Sequence, residues 1–156
     1  EAALRTAHFF ITGKELPNVE IQPVRGLKGI KEGEINVEGK IVRIAVAHGL
    51  RNVGYLLDQV RKAKEEGKEP PYHFIEVMAC EGGCIGGGGQ PYGVTDALRR
   101  KRAEGIYADD RAKKIRCSHN NPSVKKIYDE FLGKPLGEKS HHLLHTEYKA
   151  RKVYIK

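Results

Sequence analysis

A strand–helix–strand pattern in the first half of the chain restricts the fold more than any other feature. The nearly continuous apolar segment "IVRIAVA" (41–47) is typical of a strand buried on both faces. Leu50, Val53, Leu57 and Val60 keep helical spacing within residues 49–67, and "PPYHFIEVMA" (70–79) predicts another strand. Two strands that are joined by a helix run parallel to each other in the sheet, and the connection between them is right-handed. The sequence therefore predicts an α/β fold with a βαβ unit.

The flanking segments complete this expectation. The segment "EAALRTAHFFITGKE" predicts a helix, with Leu4, Ala7 and Ile11 on one face, and residues 18–33 are turn-rich and permit only short extended pieces. A tight turn at Glu38–Gly39 predicts a hairpin. Helices are expected within residues 94–115 and 121–133, and residues 134–156 have too few core residues to stand alone. We expect two domains, residues 1–95 and 96–156.

Composition indicates a globular chain and limits its partners. Apolar residues make up 39% of the 156 residues and charged residues 31%, and no apolar run is long enough to span a bilayer. The net charge is +8, but the densest basic segment, residues 99–114, contains its own acids. A solvated helix face explains it better than a nucleic-acid surface. Because the first residues also lack a secretory signal, we expect a cytoplasmic protein.

The carboxyl end of the second predicted strand leads into an unusual loop, "FIEVMACEGGCIGGGGQPYG" (74–93). Ligands of open α/β sheets bind beyond the carboxyl ends of the strands. Cys80 and Cys84 lie here beside six glycines within residues 82–89. A zinc site would need a second ligand pair, thioredoxin-type chemistry needs C-x-x-C, and a phosphate cradle would want a Lys, Ser or Thr at a fixed offset. None of these patterns is present.

Iron–sulfur ligation explains the loop better. Thiolates hold the irons, backbone N–H groups tune the potential, and glycines let the main chain approach an inorganic core. A 4Fe–4S cluster needs about four thiolates, whereas this loop offers two. Cys117 lies more than thirty residues further on, in a segment rich in basic residues, and we interpret it as a thiol that has no ligand role. The chain thus carries half of a ligand set.

The segment "FIEVMACEGGCIGGGGQP" closely resembles the third cluster-binding motif of the iron-only (FeFe) hydrogenases. The pattern E-x-M-A-C-x-x-G-C-x-x-G-G-G-Q-P is satisfied throughout, with one extra glycine. "IAVAHGLRNV" resembles the end of the catalytic domain in that family. Residues 106–148 resemble the small-subunit segment, which in some members is a separate chain. The resemblance implies the parallel-sheet part of the catalytic domain in residues 1–95, followed by an α-helical belt in residues 96–156.

The resemblance also implies a cofactor and a reaction. Cys80 would be a terminal ligand of the 4Fe–4S cubane of the H-cluster. Cys84 would bridge that cubane to a two-iron centre carrying CO, cyanide and a dithiolate, and Met78 would line the pocket of the two-iron centre. The implied reaction is the reversible reduction of protons to H₂. Electrons would be exchanged with a ferredoxin or with a flavin/NAD(P) subunit.

The departures from the family pattern define what this chain needs. The other two cluster motifs, with the remaining cubane cysteines and the proton-transferring cysteine, are absent, so no catalytic residue is identified here. The remaining catalytic portion must come from elsewhere, and the chain alone is expected to be inactive. The alternative is a non-catalytic iron–sulfur sensor or assembly module related to the hydrogenases. His141, His142 and His145 are interpreted as packing and capping residues.

Overall fold

The computed structural model describes residues 1–149, which divide into two compact units, Glu1–Arg116 and a second unit that starts at Cys117. The helices are α1 (Ala2–Thr12), α2 (Leu50–Glu65), α3 (Asp96–Ala112), α4 (Pro122–Ile127) and α5 (Glu138–Leu144). The strands are β1 (Ile30–Val37), β2 (Lys40–His48) and β3 (Phe74–Met78). The sheet order is β1-β2-β3. The α/β class is confirmed.

The strand–helix–strand prediction is confirmed by the pairing of β2 with β3. The two strands run parallel in a register that places Ile44 opposite Phe74 and His48 opposite Met78, and α2 lies between them in the chain. β1 adds to the other edge of β2 as an antiparallel hairpin. Glu38 (φ 50°) and Gly39 (φ 86°) form its turn, and positive φ at both positions matches the twist of the strands.

The first hairpin strand is longer than the sequence predicts. β1 begins at Ile30, inside the segment expected to be turn-rich, and it runs through Gly33. A Cβ on Gly33 would lie 3.2 Å from Pro23 Cβ. This glycine therefore permits the turn at Gln22–Val24 to pack closely on the strand, and it does not break the strand.

β2 forms the centre of the core because both of its faces are covered. Ile44 and Val46 pack with Ile21 and Val24 on one face. Ala45 and Ala47 pack on the other face against α2. The expectation of a strand buried on both faces holds from Ile44 onward, whereas Ile41 is 44% exposed.

The apolar stripes of the first two helices are narrower than predicted. In α2, Val53 and Leu56 are buried while Leu50 and Leu57 are exposed. In α1, Leu4 packs against the core, but Ile11 is exposed and the buried residue is Arg5. Spacing identified both helices correctly, but the residue that each helix buries depends on its neighbours.

The helices predicted after residue 94 are present. Thr95 caps α3, its side chain accepting a hydrogen bond from the Leu98 N–H, and Asn121 caps α4 in the same way through the Ser123 N–H. A single π-helical turn, Tyr128–Leu132, follows α4 and ends at Gly133. The predicted boundary between domains 1–95 and 96–156 stays a prediction. Residues 150–156, the last of the second predicted domain, lie outside the described part of the chain. No helix of residues 1–149 is long and apolar enough to cross a membrane.

A network of arginines and carboxylates joins α1, the segment after it and α3. Arg5 donates to Asp110 at 3.1 Å and 3.2 Å and to the Arg116 carbonyl at 2.7 Å. Arg116 donates to Asp110 at 2.6 Å. These bonds, led by the one from Arg116, hold the pKa of Asp110 well below its ordinary value.

Asp110→Asn is therefore expected to lower the free energy of unfolding by roughly 2 kcal/mol at neutral pH, because hydrogen bonds between charged groups are lost. A carboxyl whose pKa is lower in the folded protein stabilises the fold above its unfolded pKa of 3.8. The stabilisation is lost as the pH falls below that value, so the difference between the two proteins shrinks in acid. Urea unfolding across this pH range measures it. Asp109→Asn is the control, because its exposed 2.9 Å pair with Lys113 should contribute little, and an equal loss in both variants would contradict the prediction.

Candidate functional site

The carboxyl ends of β2 and β3 meet at the point where the cysteine loop (residues 79–90) begins. His48, the last residue of β2, lies opposite Met78, the last residue of β3. The Gly49 N–H donates to the Met78 carbonyl at 2.8 Å, and the positive φ of Gly49 (81°) turns the chain directly into α2. The loop thus occupies the edge of the sheet at which open α/β folds bind ligands.

Local backbone bonds shape the loop into a compact turn. The Gly83 N–H donates to the Cys80 carbonyl at 3.0 Å and the Gly87 N–H to the Cys84 carbonyl at 3.3 Å. A 3₁₀ turn covers Gly83–Gly86. It is preceded by the left-handed Gly82 (φ 76°), and Gly83 itself is also left-handed (φ 71°). Two consecutive left-handed residues turn the chain between Cys80 and Cys84.

A groove of about 520 Å³ brings the predicted ligands together. Met78, Cys80 and Cys84 all line it, together with glycines of the loop and Gln90. Both thiols are exposed, whereas Cys117 is buried and belongs to the second unit. The structure therefore collects Met78, Cys80 and Cys84 at one site.

Missing side chains are what keep this groove open. A Cβ on Gly83 would lie 2.5 Å from the Met78 sulfur, and a Cβ on Gly87 would lie 3.5 Å from the Cys80 sulfur. A Cβ on Gly86 would lie 2.2 Å from the Glu81 carbonyl oxygen. Gly88 and Gly89 have open space around them. Gly83 and Gly86 thus permit close packing within the loop, a Cβ on Gly87 would make only an ordinary contact, and Gly88 and Gly89 leave the rim of the groove bare.

A cavity of about 280 Å³ also borders the loop. It is lined by Met78 and Cys84, by the buried residues Lys31 and His48, and by the partly exposed Glu76. His48 is 4% exposed, and neither of its ring nitrogens has a hydrogen-bond partner within residues 1–149. Burial lowers the pKa of His48, and the nearby Lys31 lowers it further. The imidazole is therefore held neutral at neutral pH. Lys31, His48 and Glu76 come from three different strands, so no short sequence pattern could predict that they line one cavity.

Two arginines of α3 contact the loop from its other side. Arg102 donates to the Ile85 carbonyl at 2.8 Å. Arg99 lies against Gly82 and Gly86, and it pairs with Glu81 at 3.6 Å and with Asp96 at 2.6 Å. All residues of α3 are at least partly exposed. The expectation of a solvated basic helix is thus correct for most of α3, but these two arginines, three residues apart on one face, point to the loop.

The donor set fits one side of an iron–sulfur site. Two exposed thiols four residues apart, a thioether and a backbone with few side chains suit a cluster that needs close main-chain approach. The two thiolates are half of the roughly four that a 4Fe–4S cluster requires.

The histidines that the sequence interpretation assigned to packing and capping lie at α5. The rings of His141 and His145 stack with their centroids 4.6 Å apart, and His142 is exposed on α5.

Two family models match the chain in succession. Residues 1–88 match "Iron only hydrogenase large subunit, C-terminal domain", and residues 96–151 match "Iron hydrogenase small subunit". The first match ends within the cysteine loop and the second begins at the start of α3.

Full-length relatives extend this result. The chain is 50% identical over 149 residues to the NADP-reducing hydrogenase subunit HndD of Solidesulfovibrio fructosivorans, covering 95% of this chain and 24% of the relative. It is 40% identical to iron hydrogenase 1 of Clostridium pasteurianum, and the match covers 96% of this chain and 26% of that relative. Thus the chain spans about a quarter of these relatives. It is also 33% identical to cytosolic iron-sulfur assembly component 3 of Rattus norvegicus, covering 96% and 30%.

A solved FeFe hydrogenase from Chlamydomonas reinhardtii has the same fold, with a TM-score of 0.71 and 38% identity over 94% of this chain and 43% of that one. The sheet-edge loop, the paired thiols and both family matches therefore agree. The chain belongs to the iron-only hydrogenase family, in which it matches the C-terminal domain of the large subunit followed by the small subunit.

Proposed function

We propose that this chain forms one side of the H-cluster site of an iron-only hydrogenase that reversibly reduces protons to H₂. The observation that carries the proposal is the groove in which Cys80, Cys84 and Met78 meet at the carboxyl edge of the sheet. Cys80 is proposed as a terminal cubane ligand, and Cys84 as the thiolate that bridges the cubane to the two-iron centre. When bound, the H-cluster would supply the electron transfer and the open iron site for the reaction.

The residues of this chain would hold and shield that cofactor. The two thiolates bind iron, and the thioether of Met78 presents a polarizable surface that competes weakly as a ligand. Gly83 permits the left-handed turn and the close approach of Met78, and the glycine-rich backbone leaves room for a bulky inorganic core. His48, neutral and buried behind Met78, adds no positive charge to the cavity on that side.

The proposed enzyme needs partners. Since about four thiolates hold a cubane, the remaining ligands must come from a catalytic portion that carries the other two cluster motifs, and residues 1–156 alone should be inactive. A ferredoxin or a flavin/NAD(P) subunit would exchange electrons. The similarity to an NADP-reducing hydrogenase subunit supports the second of these partners.

Anaerobic production with that catalytic portion and the maturation proteins tests the proposal. We expect H₂ evolution from reduced viologen and infrared bands from CO and cyanide. An assembly that contains a matured cluster but evolves no H₂ would contradict the proposed hydrogenase function.

A non-catalytic iron–sulfur module is the second candidate, and the similarity to cytosolic iron-sulfur assembly component 3 supports it. In that case Cys80 and Cys84 would hold an ordinary cubane for assembly or sensing. The protein would then show the visible absorption of a cubane but no infrared bands in the CO and cyanide region, even when maturation proteins are present.

A further inference from the structure

We propose that Arg99 and Arg102 are positioning residues that hold the cysteine loop in the shape in which Cys80 and Cys84 face the same groove. The inference rests on the proposed function only in taking these two thiols as cluster ligands. The proposed contact joins the two regions matched by the family models. The large-subunit match ends within the loop, and the small-subunit match begins at the first residue of α3.

The contact of Arg102 provides the first support. Its Nη1 donates to the Ile85 carbonyl at 2.8 Å, and Ile85 directly follows Cys84. A hydrogen bond from a charged donor is stronger than one between neutral groups. Arg102 therefore anchors the middle of the 3₁₀ turn that contains Cys84.

Arg99 fits the same turn by shape. Its Cδ lies 3.1 Å from the position that a Cβ on Gly82 would occupy, and its Nε lies 2.8 Å from the corresponding position at Gly86. Only 17% of the side chain is exposed. The ion pairs with Glu81 and Asp96 fix the guanidinium between the loop and the first turn of α3. Arg99 thus packs against the loop at Gly82 and Gly86.

The loop needs such external contacts because it has few of its own. Six of its residues are glycines, which lose much conformational entropy when they are ordered. Its exposed thiols add little packing. Ordering by α3 would lower the entropic cost of ligand capture, since pre-arranged donors bind a metal more tightly than donors that must be ordered.

Hydrogen exchange of the whole protein without cluster tests the loop directly. We expect Arg102→Gln and Arg99→Gln to make amide exchange in residues 80–90 about tenfold faster, as loss of a charged hydrogen bond should for local opening. Arg102→Lys keeps a donor and should restore most of the protection. Arg100→Gln is the matched control, because it removes the same charge from an exposed neighbouring position of α3.

Cluster loading provides the second readout. After anaerobic reconstitution with iron and sulfide in the protein that carries all cluster motifs, Arg99→Gln and Arg102→Gln should retain less iron than wild type and than Arg100→Gln. Urea unfolding of each variant separates a loop effect from a global one. If the partly buried Arg99→Gln lowers global stability, the Gln and Lys variants of Arg102 decide. Equal exchange rates in wild type and both Gln variants, or an equal effect of Arg100→Gln, overturn the inference. A wild-type protein that binds no cluster overturns the proposed function instead, while the exchange result still decides the role of the arginines.

Discussion

Cys80→Ser and Cys84→Ser are each expected to abolish H₂ evolution and the infrared bands of the assembled enzyme. Both thiols line one groove, and serine oxygen is a poor replacement for thiolate as a ligand of iron–sulfur clusters. The loss should exceed about a hundredfold, because even outer-shell changes at metal sites cost 10–100-fold. Viologen-linked H₂ evolution, iron content and infrared spectra measure it.

Cys117→Ala is the control for these variants. Cys117 is buried and belongs to the second unit, so the proposal gives it no ligand role. Its replacement should leave iron content per folded protein unchanged. If Cys117→Ala removed the cluster while Cys84→Ser retained it, the proposed ligand set would be wrong.

Gly86→Ala is expected to have the next largest effect. The added Cβ would lie 2.2 Å from the Glu81 carbonyl oxygen and 2.8 Å from Arg99 Nε, so the backbone of the loop must move. Because displacement of a site by about 1 Å can cost a hundredfold in rate, we expect at least a tenfold loss of H₂ evolution and reduced cluster loading. The residue has no positive φ, and the effect would therefore be steric alone.

Gly88→Ala is the matched control, because it makes the same chemical change two residues away in open space and also without positive φ. It should retain cluster loading close to that of wild type. Equal losses in the two variants would show that the loop responds to lost flexibility in general, and the close packing at Gly86 would not be the cause.

The cysteine loop shows how far a linear pattern reaches. The apolar run of β3 and the two cysteines that follow it, Cys80 and Cys84, predicted a site at the carboxyl edge of a parallel sheet. The resemblance to the hydrogenases added Met78, and all three residues line one groove there. The spacing could predict this because the residues lie within seven positions of one another, so the local backbone largely decides their geometry.

The surroundings of the loop could not be predicted in the same way. Lys31, His48 and Glu76 come from three different strands, and Arg99 and Arg102 come from a helix that looks solvated in the sequence. Arg5 is buried in α1 although spacing favoured Leu4, Ala7 and Ile11. The surroundings of these polar residues depend on segments distant in sequence, as the contact of Arg5 with Asp110 shows.

The sequence by itself determined the class of fold, the βαβ order and the place of the loop with its two neighbouring thiols, because periodicity and short-range spacing express local backbone geometry. Only the tertiary structure decided that α3 supports the loop and that a buried neutral histidine lies behind Met78. Both depend on contacts between segments far apart in the chain, such as Arg102 with Ile85 and the register of His48 with Met78. Such contacts are set by how the sheet and helices pack together, and local sequence does not encode them.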